Sequence, residues 1–127
     1  MNPTGAPEVL IVDDEPDICW ALTHVLKGMG IVPVTTTSGR EALRLTKSQP
    51  FHLAFVDAKL PDMDGLDLAR RIRESDAAVR IVLVSGYFYC NDPEVRQGLV
   101  AGFLTDFVSK PIRHAEVQAI ARDVLSR

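Results

Sequence analysis

The chain reads VLIVDD from Val9 to Asp14, four apolar residues that run directly into two carboxylates. A short, continuous run of this kind, rich in β-branched residues, is typical of a strand buried on both faces of a parallel sheet. In open parallel sheets, binding sites form just beyond the carboxyl ends of the strands. The segment therefore predicts a central strand that delivers Asp13 and Asp14 to such a site.

Three later runs have the same form, and each ends at a residue that can bind phosphate or a metal ion. The run LAFV ends at Asp57, IVLV ends at Ser85, and FVS ends at Lys110. Because the carboxyl ends of parallel strands meet at one edge of a sheet, we expect three aspartates, a hydroxyl and a lysine to converge there. This convergence predicts a metal site and a phosphoryl acceptor in the same place.

Helical patterns fill the segments between these runs. Apolar residues recur at helical spacing in segments near 18–29, 38–48, 68–72, 95–99 and 117–125, and strands are predicted at 9–12, 31–35, 53–57, 80–84 and 106–109. Ser38 and Glu41 have the spacing of a capping box, and Pro33 indicates that the second strand is an edge strand. The alternation predicts an α/β fold, a doubly wound five-stranded parallel sheet of order 2-1-3-4-5 with five helices.

The composition excludes several classes of function. The 127 residues are enough for one domain, and 46% of them are hydrophobic. The net charge is −3 without any basic tract, which argues against direct nucleic-acid binding, and no apolar run is long enough to span a membrane. We expect residues 1–7 to be a flexible lead-in without signal-peptide character, and residues 8–127 to form a single domain. Two cysteines without a disulfide framework favour the cytoplasm.

The predicted cluster of Asp13, Asp14 and Asp57 is electrostatically unfavourable by itself. Two unit charges ~4 Å apart repel by about 4 kcal/mol at an effective dielectric constant of roughly 20. Either one carboxylate keeps a proton, with a raised pKa, or a cation lies among them. Oxygen ligands without histidine or thiolate favour a hard ion, Mg²⁺ or Mn²⁺.

The other residues at the predicted edge suit phosphoryl transfer, which needs mainly positioning and charge neutralisation. Lys110 supplies a positive charge for one phosphate oxygen, and Ser85 with the backbone N–H of Gly86 can donate hydrogen bonds to another. Asp57 stands alone at its strand end, which suits a nucleophile that forms an acyl phosphate. The adjacent pair of aspartates after the first strand suits a metal ion.

Four motifs stand in order at the predicted strand ends. They are VDDE at 12–15, DAKLPDMDG at 57–65, SGY at 85–87 and KP at 110–111. Together they resemble the receiver domain of two-component response regulators, and the resemblance extends from about Glu8 to Ser126. It implies a CheY-like form of the predicted fold.

The resemblance also implies a role for each residue. By analogy, Asp57 is the phospho-acceptor, and Mg²⁺ is held by Asp13, Asp14, Asp57 and the backbone carbonyl of Lys59. Ser85 becomes the switch hydroxyl beside Gly86, and Phe107 stands where the family has its switch aromatic. Lys110 becomes the phosphate-binding lysine, aimed by a cis peptide bond between Lys110 and Pro111.

A mechanism and partners follow from the same resemblance. A sensor histidine kinase or a phosphotransfer protein would donate a phosphoryl group to Asp57. Ser85 and Lys110 would then move toward the phosphate, and Phe107 would turn inward. The face built from the fourth helix, fifth strand and fifth helix would change and control an output partner or a homodimer. Apart from self-phosphorylation and autodephosphorylation, we expect no enzymatic activity, no direct nucleic-acid binding and no membrane contact.

Two features depart from the pattern of the family. The positions that tune access of water to the acceptor hold Lys59 and Tyr87, both large, which predicts slow loss of the phosphoryl group. The stretch between Ser85 and Lys110 is a few residues longer than is usual. It also holds Tyr87, Phe88 and Tyr89 in a row, which either fill the core or form a modified partner surface at the fourth helix.

Two alternative functions stay open at this point. The chain could be a pseudo-receiver, an interaction module that never uses phosphate, although the complete acidic set with Lys110 argues against this. It could instead be a metal-dependent phosphatase of the haloacid-dehalogenase type, which passes through an aspartyl phosphate. Such enzymes need a second aspartate two residues after the nucleophile, and here that position is Lys59.

The remaining polar and aromatic residues receive structural interpretations. Asp62 and Asp64 suit turn and helix-cap positions better than metal binding. Trp20 is expected to be partly exposed, and both Cys19 and Cys90 to be structural or incidental. The three histidines show no ligand spacing and are interpreted as surface or packing residues; they are His24, His52 and His114.

Overall fold

A single five-stranded parallel sheet organises the computed structural model, which describes residues 7–86 and 92–126. The strands are β1 (Val9–Val12), β2 (Val34–Thr36), β3 (Leu53–Asp57), β4 (Arg80–Ser85) and β5 (Asp106–Ser109), in the order β2-β1-β3-β4-β5. The helices are α1 (Pro16–Gly28), α2 (Gly39–Ser48), α3 (Gly65–Ser75), α4 (Pro93–Ala101) and α5 (His114–Leu125). The predicted fold class and strand order are confirmed.

The sheet separates two apolar layers, as expected for strands buried on both faces. Along β1, Leu10 and Val12 face one layer, which contains buried residues of α2, α3 and α4. Val9 and Ile11 face the other layer, which is closed by α1 and α5. All four β1 residues are fully buried, so the strand is fixed from both sides and its carboxyl end is held rigidly.

The edge strand β2 begins later than predicted. Ile31 follows the end of α1 and is bonded back to its last turn, because its N–H donates to the carbonyl of Leu26 at 2.9 Å and its side chain is buried. Gly30 adopts a φ of +81°, which turns the chain at this point. Pro33 has no N–H to give to the sheet. The predicted strand over 31–35 is therefore wrong at its start, and the ladder runs over Val34–Thr36.

Side chains cap the helices that begin near the carboxyl edge of the sheet. The Ser38 hydroxyl accepts the Glu41 N–H at 3.2 Å, which is one half of the predicted capping box. The Glu41 carboxylate pairs with Arg44 instead of turning back. Asp64 caps α3 by accepting the Leu66 N–H at 2.8 Å, as its interpretation as a cap requires.

The predicted surface residues agree with the structure in outline. Trp20 is 69% exposed, more than expected, and its ring stacks on His24 with centroids 5.1 Å apart. His24 also meets the ring of His114 edge-on, so two histidines that are distant in sequence are neighbours. His52 accepts the Glu8 N–H through Nδ1 at 2.9 Å. No helix in the described part of the chain is long and apolar enough to cross a bilayer.

Several predictions concern segments that the structure leaves undescribed. The flexible lead-in lies there except for Pro7, as do the tuning residue Tyr87, its neighbours Phe88 and Tyr89, and Cys90.

Candidate functional site

The three aspartates meet at the carboxyl edge of the sheet, between its two central strands. Asp13 directly follows β1, Asp57 is the last residue of β3, and these strands are paired neighbours. One carboxylate oxygen from each of Asp13, Asp14 and Asp57 lies within 4.8 Å of the others. Asp13 and Asp57 are buried, with 1% and 4% of their surface exposed, whereas Asp14 is exposed. The cluster is therefore open to solvent on one side.

Burial makes this cluster costly to ionise. It raises the pKa of Asp13 to about 6, and the charge of Asp57 adds to the shift although the Glu15 N–H donates to Asp13 Oδ1 at 2.8 Å. Burial also raises the pKa of Asp57, with Lys110 as the main opposing influence. Because both aspartates have raised pKa values, a bound cation would stabilise their ionised forms.

The donor atoms fit a hard divalent ion. Within the described ranges, Asp13 Oδ2 is the buried side-chain oxygen that has no hydrogen-bond partner. A buried carboxylate oxygen without a donor is costly unless a cation neutralises it. The nearby Lys110 ammonium, 3.5 Å away, is closer to Glu15 and to Asp57, so it neutralises this oxygen only in part. Three carboxylates that leave open coordination positions are the donor set that Mg²⁺ accepts. The site therefore fits Mg²⁺ or Mn²⁺.

The loop after β3 places the Lys59 backbone beside this cluster. The Lys59 N–H donates to Asp57 Oδ1 at 3.4 Å, and Lys59 forms an isolated bridge with Asp64. The N–H of Leu60 donates to the Met63 carbonyl, which closes the turn. The side chain of Lys59 is exposed.

Lys110 reaches the cluster from the end of β5. Its peptide bond to Pro111 is cis, and its own N–H donates to the Ser85 carbonyl at 2.9 Å. Its Nζ lies 2.6 Å from Glu15 Oε1, 3.3 Å from Asp57 Oδ1 and 3.5 Å from Asp13 Oδ2. Burial opposes ionisation of this lysine, but the neighbouring carboxylates outweigh it and the pKa of Lys110 is raised.

The switch residues of the resemblance lie on the same side of the site. Ser85 ends β4, is 1% exposed and stands opposite Ser109 of β5. Gly86 is exposed, and a Cβ placed on it would contact Lys110 Cβ at 3.7 Å. Phe107 is partly buried against the layer that contains α2, α3 and α4. Of the residues named from the sequence, Asp13, Asp14, Lys59 and Lys110 thus lie close to Asp57.

Sequence reasoning missed two residues that shape the site. Gly65 begins α3 so close to β3 that a Cβ would lie 2.0 Å from the Asp57 carbonyl oxygen. Only glycine fits this approach, and its place directly after a helix-capping aspartate was the available signal. Glu15, which follows the two aspartates in the first motif, makes the shortest of the Lys110 ion pairs. No sequence signal indicates a contact between residues 95 positions apart.

Comparison with known proteins agrees with this geometry. Residues 9–122 match the family model described as the response regulator receiver domain. The chain is 34% identical over 121 residues to the transcriptional regulatory protein AfsQ1 of Streptomyces coelicolor, covering 95% of the chain and 52% of that protein. It is also 34% identical over 124 residues to the DNA-binding response regulator MtrA of Mycolicibacterium smegmatis, covering 98% and 53%.

A solved structure gives the same answer for the fold. A putative response regulator from Chloroflexus aurantiacus superposes with a TM-score of 0.82 at 27% identity, covering 95% of this chain and 98% of that one. The chain belongs to the response regulator receiver domain family of two-component systems. It spans about half the length of the two curated relatives named above.

Proposed function

We propose that this protein is a phosphorylation-dependent signalling switch that accepts a phosphoryl group on Asp57. The observation that carries the proposal is the position of this carboxylate. It is buried at the end of a central strand, beside two other aspartates and 3.3 Å from the Lys110 ammonium. The donor is a phosphohistidine of a sensor histidine kinase or a phosphotransfer protein.

The transfer step is a displacement at phosphorus. An Asp57 carboxylate oxygen forms the new P–O bond, while the P–N bond of the phosphohistidine breaks and its electron pair returns to the imidazole nitrogen. Asp13, Asp14, Asp57 and the Lys59 carbonyl would hold Mg²⁺. When bound, the ion neutralises charge on the carboxylates and on the transferred group.

The chain's own residues orient the transferred group. Lys110 already lies within hydrogen-bonding distance of Asp57, so a short movement brings its ammonium to a phosphoryl oxygen. Ser85 and the Gly86 N–H stand at the end of the neighbouring strand β4 and can donate to another oxygen. Because Asp57 is buried, these interactions act where water competes weakly.

Phosphorylation would change the positions of residues at the ends of β4 and β5. A phosphoryl group adds about two negative charges and draws Ser85 and Lys110 toward it. Phe107 of β5 packs against the layer containing α4, and its inward rotation would change the face made by α4, β5 and α5. An output partner or a second copy of the chain would read this face, through a shift between existing states.

We propose that the lifetime of the signal is set at the two positions where the resemblance to the family places control of water access to the acceptor. Lys59 and Tyr87 are large, and we expect them to restrict access of water to the acyl phosphate. In a Tyr87→Ala variant, loss of the phosphoryl group should therefore become faster, measured by decay of the phosphorylated mass after the donor is removed. Equal or slower decay would remove this part of the proposal.

The proposal extends to the whole chain and its setting. We propose that residues 8–127 form one receiver domain that catalyses its own phosphorylation and dephosphorylation and acts on no outside substrate. A cytoplasmic setting, where a free thiol such as Cys19 stays reduced, suits this role.

Intact-mass spectrometry tests the proposal. Incubation with acetyl phosphate and Mg²⁺ should add the mass of one PO₃ unit to the wild-type protein. The adduct should be absent from Asp57→Asn and present in Asp67→Asn, a matched charge change on α3 in which a partly exposed acid paired with Arg71 is neutralised. A wild-type protein that never gains the adduct, with acetyl phosphate or a phosphorylated kinase, would indicate a pseudo-receiver. Sustained hydrolysis of a generic phosphate ester would indicate a phosphatase.

A further inference from the structure

We propose that Glu15 is a positioning residue that holds Lys110 in the unphosphorylated protein and competes with the phosphoryl group for it. The inference rests on the proposed function and adds a control element to the same site. The contact between Glu15 Oε1 and Lys110 Nζ, at 2.6 Å, is shorter than the contacts of this ammonium to Asp57 and Asp13.

The ammonium of Lys110 lies among three carboxylates and donates hydrogen bonds to two of them. A lysine has three N–H donors and no acceptor. Here it donates to Glu15 and Asp57 and lies 3.5 Å from a carboxylate oxygen of Asp13. A phosphoryl oxygen on Asp57 must therefore compete with these carboxylates for Lys110, and above all with Glu15, whose contact is the shortest.

Glu15 is the partner that can give way most easily. Asp57 carries the phosphoryl group itself, and the Asp13 side chain is buried at the centre of the acidic cluster. The Glu15 side chain is 56% exposed, so it can swing into water without leaving a buried charge behind. Its backbone stays in place because its carbonyl accepts the N–H groups of Ile18 and Cys19 at the start of α1.

Release of Lys110 from Glu15 is therefore part of the cost of activation. The negative charge of Glu15 also opposes the approach of an anionic donor to a site that already holds three other carboxylates. Replacing it should make the site accept a phosphoryl group, or an analogue of one, more readily. The effect of one exposed, charge-assisted contact corresponds to a change of about 3- to 10-fold.

Three variants separate a specific contact from general charge. Glu15→Gln removes the charge and weakens the bond to Lys110. Glu15→Asp keeps the charge but shortens the side chain by one methylene, so the 2.6 Å contact is lost at the same backbone position. Asp17→Asn removes an equal charge from the first turn of the same helix, at an exposed residue that is not among the three carboxylates around Lys110.

Two measurements apply to each variant at saturating Mg²⁺. Calorimetry gives the affinity for beryllofluoride, and intact-mass spectrometry gives the rate of phosphorylation by acetyl phosphate. We expect Glu15→Gln and Glu15→Asp to bind beryllofluoride about 3- to 10-fold more tightly than wild type and to be phosphorylated faster, with Asp17→Asn unchanged. A thermal midpoint close to that of wild type establishes that each variant is folded.

The possible outcomes are distinct. If Glu15→Gln behaves like wild type, or binds beryllofluoride more weakly, Glu15 does not compete for Lys110. If Glu15→Asp matches wild type while Glu15→Gln and Asp17→Asn are both enhanced, only general charge matters and the proposed contact is wrong. If the wild-type protein itself neither binds beryllofluoride nor gains mass, the proposed function fails and the inference fails with it.

Discussion

The helices α1 and α2 both begin beside the functional edge of the sheet, yet their N-termini use acidic side chains in opposite ways. At α2, Asp62 accepts the N–H groups of Gly39 and Arg40 at 2.9 and 3.0 Å, and Ser38 accepts that of Glu41. At α1, the capping residue Glu15 makes no side-chain hydrogen bond to its own helix.

This difference separates structural acids from functional ones. The backbone N–H groups that donate to Asp62 keep the pKa of its carboxyl below the ordinary range. The ionised side chain links the loop after β3 to the start of α2. Glu15 sends its carboxylate across to Lys110, into the cluster around Asp57. At these two helix starts, Asp62 therefore maintains the fold, whereas Glu15 pairs with a side chain of the site and can act on its chemistry.

The largest effect is expected from removing a buried acid that belongs to neither cap. Asp13→Asn should weaken Mg²⁺ binding by more than about tenfold, because the variant loses a buried anionic oxygen that no hydrogen bond satisfies. Calorimetric titration with MgCl₂ measures this loss. Asp62→Asn is the control and should bind Mg²⁺ as the wild type does; equal losses in both variants would contradict the distinction.

The second expected effect is a fall in the free energy of unfolding as pH rises. The pKa of Asp13 is about 6 in the folded protein against 3.8 for an unperturbed group, so the folded state binds more protons between these values. The free energy of unfolding of metal-free protein should therefore fall as pH rises from about 4 to about 6, on the order of 1 to 3 kcal/mol from this group. Urea unfolding at a series of pH values measures it.

Asp13→Asn should flatten that decline and leave the variant more stable than wild type at pH 7 without metal. In the wild-type protein, bound Mg²⁺ should restore the stability that is lost when Asp13 ionises. The apparent affinity for Mg²⁺ should drop as pH falls below about 6, because the ion must displace a proton from Asp13. A metal-free protein whose stability rises steadily from pH 4 to pH 7 would show that Asp13 ionises without cost.

The smallest expected effect is a change in thermal stability on substitution of Asp62 or Glu15. Asp62→Ala removes two side-chain acceptors from the start of α2 and should lower the thermal midpoint by a few degrees. Glu15→Gln removes no cap and should leave the midpoint nearly unchanged. Circular dichroism melts in the presence of EDTA give both values. If Glu15→Gln is the more destabilising of the two, the roles assigned to these acids are reversed.

Much of the fold could be predicted because its strands are uninterrupted apolar runs. A run such as Leu53–Val56 has few alternatives to a buried strand, and the aspartate that follows is then placed by topology alone. Short-range patterns were also informative, since Ser38 caps α2 and Asp64 caps α3 at their expected positions.

Contacts between distant segments could not be predicted in the same way. Asp62 accepts a hydrogen bond from a helix that begins 23 residues earlier, and Glu15 accepts one from a lysine 95 residues later. Local propensity carries no information about such pairs. The start of β2 was wrong for a related reason, because the burial of Ile31 reflects packing at the end of α1 and not membership of the sheet.

The most direct test of the account is to locate the transferred phosphoryl group. After incubation with acetyl phosphate and Mg²⁺, borohydride reduces an acyl phosphate to an alcohol, which peptide mapping by tandem mass spectrometry can assign to a residue. We expect homoserine at position 57 in the wild-type protein, and no reduced side chain at the neighbouring acids Asp13, Asp14 or Glu15. Reduction at another residue, or an unreduced Asp57 in protein that has gained the phosphoryl mass, would contradict the account.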